Sequence, residues 1–243
     1  MDTSTINQDY YWMAKAIRLA QRGLYTTSPN PRVGCVIVSP DNHCVGEGAH
    51  LEAGTPHAEV HALKQAGSLA KGATAYVTLE PCSHFGRTPP CAEALIHAQV
   101  KRVVIAMTDP NPNVSGNGIR KLQNAGIEVT SDVMSAEAGA LNPGFVKRML
   151  TGKPYVRVKQ GISLDGKIAL KNGVSQWITG PEARQDVQKY RAQSCAVLTG
   201  SGTVEADNPS LLVRPSEAKL SAYPLDTLRQ PVRVIVDGQS RLD

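Results

Sequence analysis

Two short segments and one more distant cysteine decide how the first half of this chain reads: His57-Ala58-Glu59, Pro81-Cys82, and Cys91. Together they offer one imidazole and two thiols, with a carboxylate two residues from the imidazole. Nitrogen and sulfur donors of this kind suit zinc. Three protein ligands leave a tetrahedral zinc with one position open to water, which is the arrangement of a catalytic centre. The carboxylate then has a separate task. Zinc brings the pKa of its water to about 7, and a neighbouring carboxylate can carry the released proton to a leaving group.

The order of these residues narrows the chemistry. H-x-E followed by P-C-x-x-C is the signature of zinc deaminases. The first half and the Pro-Cys pair are present here, but Ser83 to Pro90 separate Cys82 from Cys91. Other assignments stay open on these residues alone. His61 lies four residues after His57 and could share its helix face as a metal pair. His84 could supply a fourth ligand and make the centre structural. Cys35, Cys44 and Cys195 are expected to be small buried side chains.

Around the motifs the chain alternates between strand and helix patterns. Asp9 to Gln21 carries apolar residues at Tyr10, Met13, Ala14, Ile17 and Ala20, a helical stripe with Gly23 as its stop. Val33 to Val38 and Cys44 to Ala49 read as a hairpin about Pro40-Asp41-Asn42. His57 to Ala66, Cys91 to Ala98 and Gly118 to Asn124 predict helices, and Ala73 to Leu79, Arg102 to Met107 and Ile127 to Thr130 predict strands. Ser135 to Leu150 is helical in tendency, with a break expected at Pro143-Gly144. Such alternation predicts an α/β layered domain over residues 1–150. Thr151-Gly152-Lys153-Pro154 marks a boundary, and a second domain is expected over 154–243. There Tyr155 to Lys159 is β-rich, Pro181 to Ala192 predicts a helix with proline first, and Ala196 to Thr199 and Val232 to Val236 predict strands. So few complete units suggest the start of a longer domain.

The net charge of +5 is spread along the chain without a run of lysine and arginine. Nucleic-acid binding usually leaves a clustered basic footprint, so an anionic small molecule fits at least as well. No apolar run reaches membrane-spanning length. The first residues lack the basic-then-apolar pattern of a secretory signal, and the expected location is the cytoplasm. Five unevenly placed cysteines read as two ligands plus free thiols rather than a disulfide framework.

At this point the chain resembles a known family, the bifunctional deaminase/reductase of riboflavin biosynthesis (RibD). The resemblance rests on Thr27-Ser28-Pro29-Asn30-Pro31 with Val33-Gly34, His57 to Ala62, Leu79 to Cys91, and Asp109-Pro110-Asn111-Pro112. It continues through Lys159 with Ser163-Leu164-Asp165-Gly166, and through Ser175 to Thr179, so it covers essentially the whole chain. The long insert between Cys82 and Cys91 is a mark of that family. The resemblance implies a cytidine-deaminase-like three-layer domain followed by a dihydrofolate-reductase-like domain.

It further implies that His57, Cys82 and Cys91 hold Zn2+ and that Glu59 shuttles protons. The implied reaction is hydrolytic deamination of 2,5-diamino-6-ribosylamino-4(3H)-pyrimidinone 5′-phosphate. Asn30, His50, His84 and Arg87 are candidates for holding the ring or the phosphate, and a guanidinium such as that of Arg87 matches phosphate geometry. For the second part the resemblance implies NADPH-dependent reduction of the ribosyl group to a ribityl chain. Gly161, Trp177, Thr203 and Asp207 would contact NADPH, while Lys159, Ser175, Arg191, Leu211 and Arg214 would contact substrate. A G-x-G-x-x-G dinucleotide fingerprint is missing. Gly200-Ser201-Gly202-Thr203 reads as a loop, and Gly238 stands where the family carries a cofactor-contacting serine. The implied partner is a small phosphorylated pyrimidine, with neither nucleic acid nor membrane, and a homo-oligomer stays open. Two competing readings are a nucleic-acid base deaminase and a non-enzymatic zinc module that binds nucleotides.

Overall fold

The hairpin of the first half forms from β1 (Gly34–Val38) and β2 (Cys44–Ala49), antiparallel, with Cys35 opposite Gly48 and Ile37 opposite Gly46. The computed structural model describes residues 3–85, 89–112, 114–220 and 223–242. In it the chain divides into two units, Met1–Tyr155 and Val156–Asp243. In the first unit β3 (Thr74–Val77) pairs antiparallel with β1. β4 (Arg102–Ile105) and β5 (Glu128–Thr130) then add in parallel, for a sheet order β2-β1-β3-β4-β5. Parallel neighbours need crossover connections. The helices α3 (Cys91–His97) and α4 (Asn117–Asn124) lie in these crossovers.

Every residue of β1 is buried, as a central strand covered on both faces requires. Cys35, Ile37, Ala75, Val77, Val103 and Ile105 face a core completed by α2 (Ala58–Ala66), Leu95 of α3 and Leu122 of α4. Val36, Val38, Tyr76 and Val104 face the other way, onto Trp12, Met13, Ala16 and Ile17 of α1 (Thr3–Ala20). The period-two alternation of the strands thus feeds two helical layers.

Glycines fix how closely the helices approach. A Cβ at Gly48 would lie 1.9 Å from the Ala58 carbonyl oxygen, and one at Gly46 would lie 2.1 Å from that of Ala62. The helix answers with Ala58, Ala62 and Ala66, all buried and spaced by four. Small residues on both partners bring the α2 backbone onto β2. On the opposite face Gly34 admits the Ala16 carbonyl of α1 in the same way, at 2.0 Å from a would-be Cβ.

Several elements differ from the sequence reading. α1 starts at Thr3, and its buried stripe is Asp9, Trp12, Met13, Ala16, Ile17 and Ala20, while Tyr10 is exposed. The stripe turns because Asp9 is paired. Arg102 of β4 donates to both its carboxylate oxygens at 2.8 and 2.7 Å, and the Tyr76 hydroxyl donates to it at 3.0 Å. The Asp9 carboxylate in turn raises the Arg102 pKa. Cys44 is only half-buried and Cys195 is exposed, so of the three expected buried thiols only Cys35 is one.

The break near Pro143 falls at Asn142, between α5 (Ser135–Leu141) and α6 (Pro143–Thr151). Asn142 is buried and pairs with the Arg32 backbone in both directions: Arg32 N–H donates to its Oδ1 at 2.7 Å, and its Nδ2 donates to the Arg32 carbonyl at 2.9 Å.

The second unit contains α7 (Pro181–Gln193), β6 (Ala196–Gly200), α8 (Ser201–Asp207), α9 (Pro215–Ala218) and β7 (Val232–Val236), with β6 and β7 parallel. Tyr155 to Lys159 forms no strand and is exposed, because β-propensity needs a pairing partner to be realised. The expected loop at Gly200 to Thr203 is the start of α8, with Gly200 extended as its N-cap. No helix among the described residues is long and apolar enough to cross a membrane.

Replacing Asp9 by alanine strands a largely buried guanidinium, and the expected cost is about 3–5 kcal/mol. Urea unfolding followed by Trp12 fluorescence in a Trp177→Phe background measures it. A loss under about 1 kcal/mol, the size of an exposed pair, would show that Arg102 is adequately hydrated without its partner.

Candidate metal centre

His57 sits at the N-cap of α2 in extended conformation, so its ring is directed by the Pro56–His57 turn rather than by the helix. Cys82 follows β3 through Pro81, and Cys91 is the first residue of α3. Two hydrogen bonds close the intervening insert: Cys91 N–H donates to the Cys82 sulfur at 3.3 Å, and Ala92 N–H donates to the Cys82 carbonyl at 3.1 Å. The ligand atoms of His57, Cys82 and Cys91 all lie within 4.8 Å of one another.

Their spacing tests the fit to zinc. His57 Nδ1 lies 3.3 Å from Cys91 Sγ and 3.7 Å from Cys82 Sγ. Tetrahedral bonds of about 2.0–2.3 Å give ligand–ligand edges of about 3.5–3.8 Å. The donor set and its separations therefore suit zinc with one position left over. His61 is exposed and outside this group, and His84, also exposed, is not part of it.

The protonation pattern points the same way. A hydrogen bond from the Cys91 thiol lowers the Cys82 pKa to about 4, and donating it raises Cys91. The two sulfurs thus share a proton that a cation between them would expel. Glu59 is buried, and burial pushes its carboxyl up to about 7, with the Cys82 sulfur adding to the effect. Its Oε2 has no hydrogen-bond partner among the described residues. A buried carboxylate oxygen left unpaired is costly and reads as an acceptor waiting for a proton donor at the site.

Glu59 and the candidate ligands His57 and Cys82 open onto a cavity of about 520 Å³, a size suited to a small molecule. Asn30, His50 and His84 line it too. The Asn30 amide donates to His50 Nε2 at 3.1 Å, and His50 Nδ1–H donates to the Pro56 carbonyl at 3.3 Å. Both ring nitrogens are thereby used by a neutral imidazole, and burial lowers its pKa accordingly. Arg87 lies outside the described residues.

Sequence reasoning missed part of the wall. Glu80, Asp109, Asn111 and Phe145 also line the cavity. Glu80 adjoins the Pro81-Cys82 pair, and Asp109 and Asn111 stand in one of the motifs, so position could have flagged them. Phe145 carries no such signal, because it arrives through the Asn142 break.

The candidate residues of the second unit fall into separate groups. Arg191 of α7 donates to the Leu212 carbonyl at 3.0 Å, and Arg214 N–H donates to Gln188 Oε1 of the same helix at 3.0 Å. This gathers Arg191, buried Leu211 and Arg214 along α7, although Arg214 also pairs with Glu217 at 2.9 Å. The Lys159 ammonium comes within 3.3 Å of a would-be Gly161 Cβ. Ser175 is exposed, Trp177 packs its ring under the Arg184 guanidinium at 4.3 Å, and Thr203 and Asp207 are exposed on α8.

Comparison with known proteins matches two families. The cytidine and deoxycytidylate deaminase zinc-binding region matches residues 6–107, and the RibD C-terminal domain matches residues 154–243. The riboflavin biosynthesis protein RibD of Escherichia coli K12 is 60% identical over 97% of this chain and 65% of its own length. That of Haemophilus influenzae is 55% identical over 97% and 64%. The solved structure of Acinetobacter baumannii RibD superposes with a TM-score of 0.92 at 58% identity, over 98% of this chain and 65% of that one. A Thermotoga maritima diaminohydroxyphosphoribosylaminopyrimidine deaminase/5-amino-6-(5-phosphoribosylamino)uracil reductase superposes at 0.83 with 42% identity, over 95% and 63%. The fold is therefore a cytidine-deaminase-like domain followed by residues of a dihydrofolate-reductase-like RibD C-terminal domain. Spanning just under two thirds of the length of these relatives, the chain is similar to RibD riboflavin biosynthesis proteins over nearly the whole of its own length.

Proposed function

We propose that residues 1–150 form a zinc-dependent deaminase acting on 2,5-diamino-6-ribosylamino-4(3H)-pyrimidinone 5′-phosphate. The observation that carries this reading is the unpaired Glu59 oxygen, buried beside a His57/Cys82/Cys91 donor set at the wall of a small-molecule cavity. His57, Cys82 and Cys91 would hold the zinc, which supplies Lewis acidity and hydroxide near neutral pH. Glu59 would carry the two protons of the attacking water in turn, the first to the ring nitrogen and the second to the departing amine. The C–N bond breaks, a C=O bond forms, and ammonia leaves. Asn30, fixed through His50, offers its Oδ1 to the ring, and His84 and Arg87 in the insert are assigned to the phosphorylated end.

Residues 154–243 then form the start of an NADPH-dependent reductase that converts the ribosyl group to a ribityl chain. Gly161, Trp177, Thr203 and Asp207 are assigned to the cofactor. Lys159, Ser175, Arg191, Leu211 and Arg214 are assigned to the substrate. A soluble small-molecule substrate supports a cytoplasmic location.

Metal analysis of the purified chain should give one zinc per chain, and Cys82→Ser or Cys91→Ser should abolish stoichiometric binding. Retention of full zinc by both variants would remove the cysteines from the centre.

With zinc bound, incubation with the ribosylamino substrate should release ammonia. Glu59→Gln should keep its zinc and lose turnover by about 10²–10⁴-fold, the range of a positioned proton-transfer group. Near-normal turnover in that variant would take the proton shuttle away from Glu59, and no ammonia from the zinc-loaded wild type would overturn the deaminase reading.

A further inference from the structure

We infer that Glu80 is a positioning residue, a single buried carboxylate that ties the wall of the cavity to the loop carrying Cys82. This rests on the deaminase reading of the site and adds a residue to it. Glu80 is 3% exposed and directly precedes Pro81-Cys82. Among the described residues its side chain makes no ion pair. It accepts four backbone N–H groups instead: Oε2 from Asp109 at 3.1 Å and Gly116 at 2.9 Å, and Oε1 from Gly118 at 2.8 Å and Ile119 at 3.3 Å.

These donors come from both arms of the connection between β4 and α4. Asp109 lies on the outgoing arm, and Gly116, Gly118 and Ile119 lie where the chain returns and enters the helix. Between the arms the segment delivers Asp109, Asn111 and Val114 to the cavity. Asp109 continues the arrangement, since its Oδ1 accepts the Asn111 N–H at 2.8 Å. Glu80 N–H meanwhile donates to the Met107 carbonyl at 3.0 Å, so backbone and side chain grip the same loop.

Charge and shape both favour this arrangement. A carboxylate accepting several backbone N–H bonds at a helix start is held by charge-assisted hydrogen bonds and by the helix dipole. The N-terminus of α4 is consequently occupied from within and is not free for a substrate phosphate. Gly118 makes room, since a Cβ there would meet the Pro81 carbonyl oxygen at 2.0 Å. The pocket wall is therefore registered against the residue next to a metal ligand, and the register depends on both oxygens being acceptors.

Glu80→Gln isolates that dependence. Its shape is the same, but either orientation of the amide turns an NH₂ toward two N–H donors. In the zinc-loaded full chain, hydrogen exchange of residues 106–119 should speed up about tenfold or more while residues 58–66 stay unchanged. Zinc should remain at one per chain. KM for the ribosylamino substrate should rise about tenfold or more with kcat within about threefold, the size of effect expected of groups that orient a site. Glu80→Asp keeps the charge but withdraws it by one methylene, and should fall between the two; if Glu80→Gln fails to fold, it decides the matter on the same readouts. Unchanged exchange and KM, loss of zinc, or a fall in kcat with KM unaltered would each overturn the assignment. Should the wild type release no ammonia, the deaminase reading fails separately, and the exchange contrast still judges whether Glu80 holds the wall.

Discussion

The close packing of α2 on β2 is the constraint on which the rest of the first unit depends. His57 and Glu59 sit at the start of that helix, one as its N-cap and the other on its buried side. Their distance from Cys82 and Cys91 is set by how near the helix axis can come to the sheet. Gly46 and Gly48 permit contact with the Ala58 and Ala62 carbonyls that no side chain would allow. Glycine in a strand costs conformational entropy and packing. Here the cost is offset by bringing a carboxylate and an imidazole to a fixed depth below the cavity, which a looser helix–sheet contact would leave to vary.

Electrostatics then decides what that depth means. A carboxylate as buried as Glu59 is held partly protonated by desolvation, and the sulfur of Cys82 next to it makes ionisation harder. The Cys82 and Cys91 sulfurs are hydrogen-bonded to each other, which lowers the Cys82 pKa and raises that of Cys91. A divalent cation held between His57, Cys82 and Cys91 would favour both thiolates and the ionised form of the nearby carboxylate. The contrast with Asp9 is instructive. That carboxylate is equally buried but fully paired by Arg102 and Tyr76, and it serves the join between α1 and β4. Glu59 keeps one carboxylate oxygen without a hydrogen-bond partner among the described residues, and this is what separates it from Asp9.

The parts of the fold and site legible in the sequence were those where chemistry or a short-range pattern restricts the residue type. The His57, Glu59, Cys82 and Cys91 set was legible because few residue types can hold zinc or move its proton, and the hairpin and crossover helices were legible from their periodicity. Long-range pairing hid the rest. Tyr10 looked like core, and nothing marked Asp9 as buried, because its partner Arg102 lies far along the chain. Tyr155 to Lys159 had strand composition but forms no strand. Asn142 had no signature at all, since its role is to imitate a strand neighbour for Arg32 and so to hold the segment that carries Asn30. Glu80 was visible only as a letter beside a motif, because its four partners are backbone groups that no sequence pattern names.

These hidden contacts share a logic. The candidate ligands His57, Cys82 and Cys91 and the carboxylate of Glu59 are fixed by the sheet, by α2 and by the start of α3, elements whose geometry allows little variation. The walls of the cavity come from irregular segments: the 27–33 loop, the insert after Cys82, and the loop after β4. Irregular backbone cannot satisfy its own polar groups, so each segment needs side chains to hold it. Asn142 with Arg32, His50 with Asn30, and Glu80 with the Asp109 and Gly116–Ile119 amides supply that function. Change in the walls is therefore possible without disturbing the ligands, provided the holding side chain changes with the loop. On this view the zinc chemistry resides in the regular elements. The choice of molecule resides in loops whose shape is enforced by a few buried polar residues that never touch the metal.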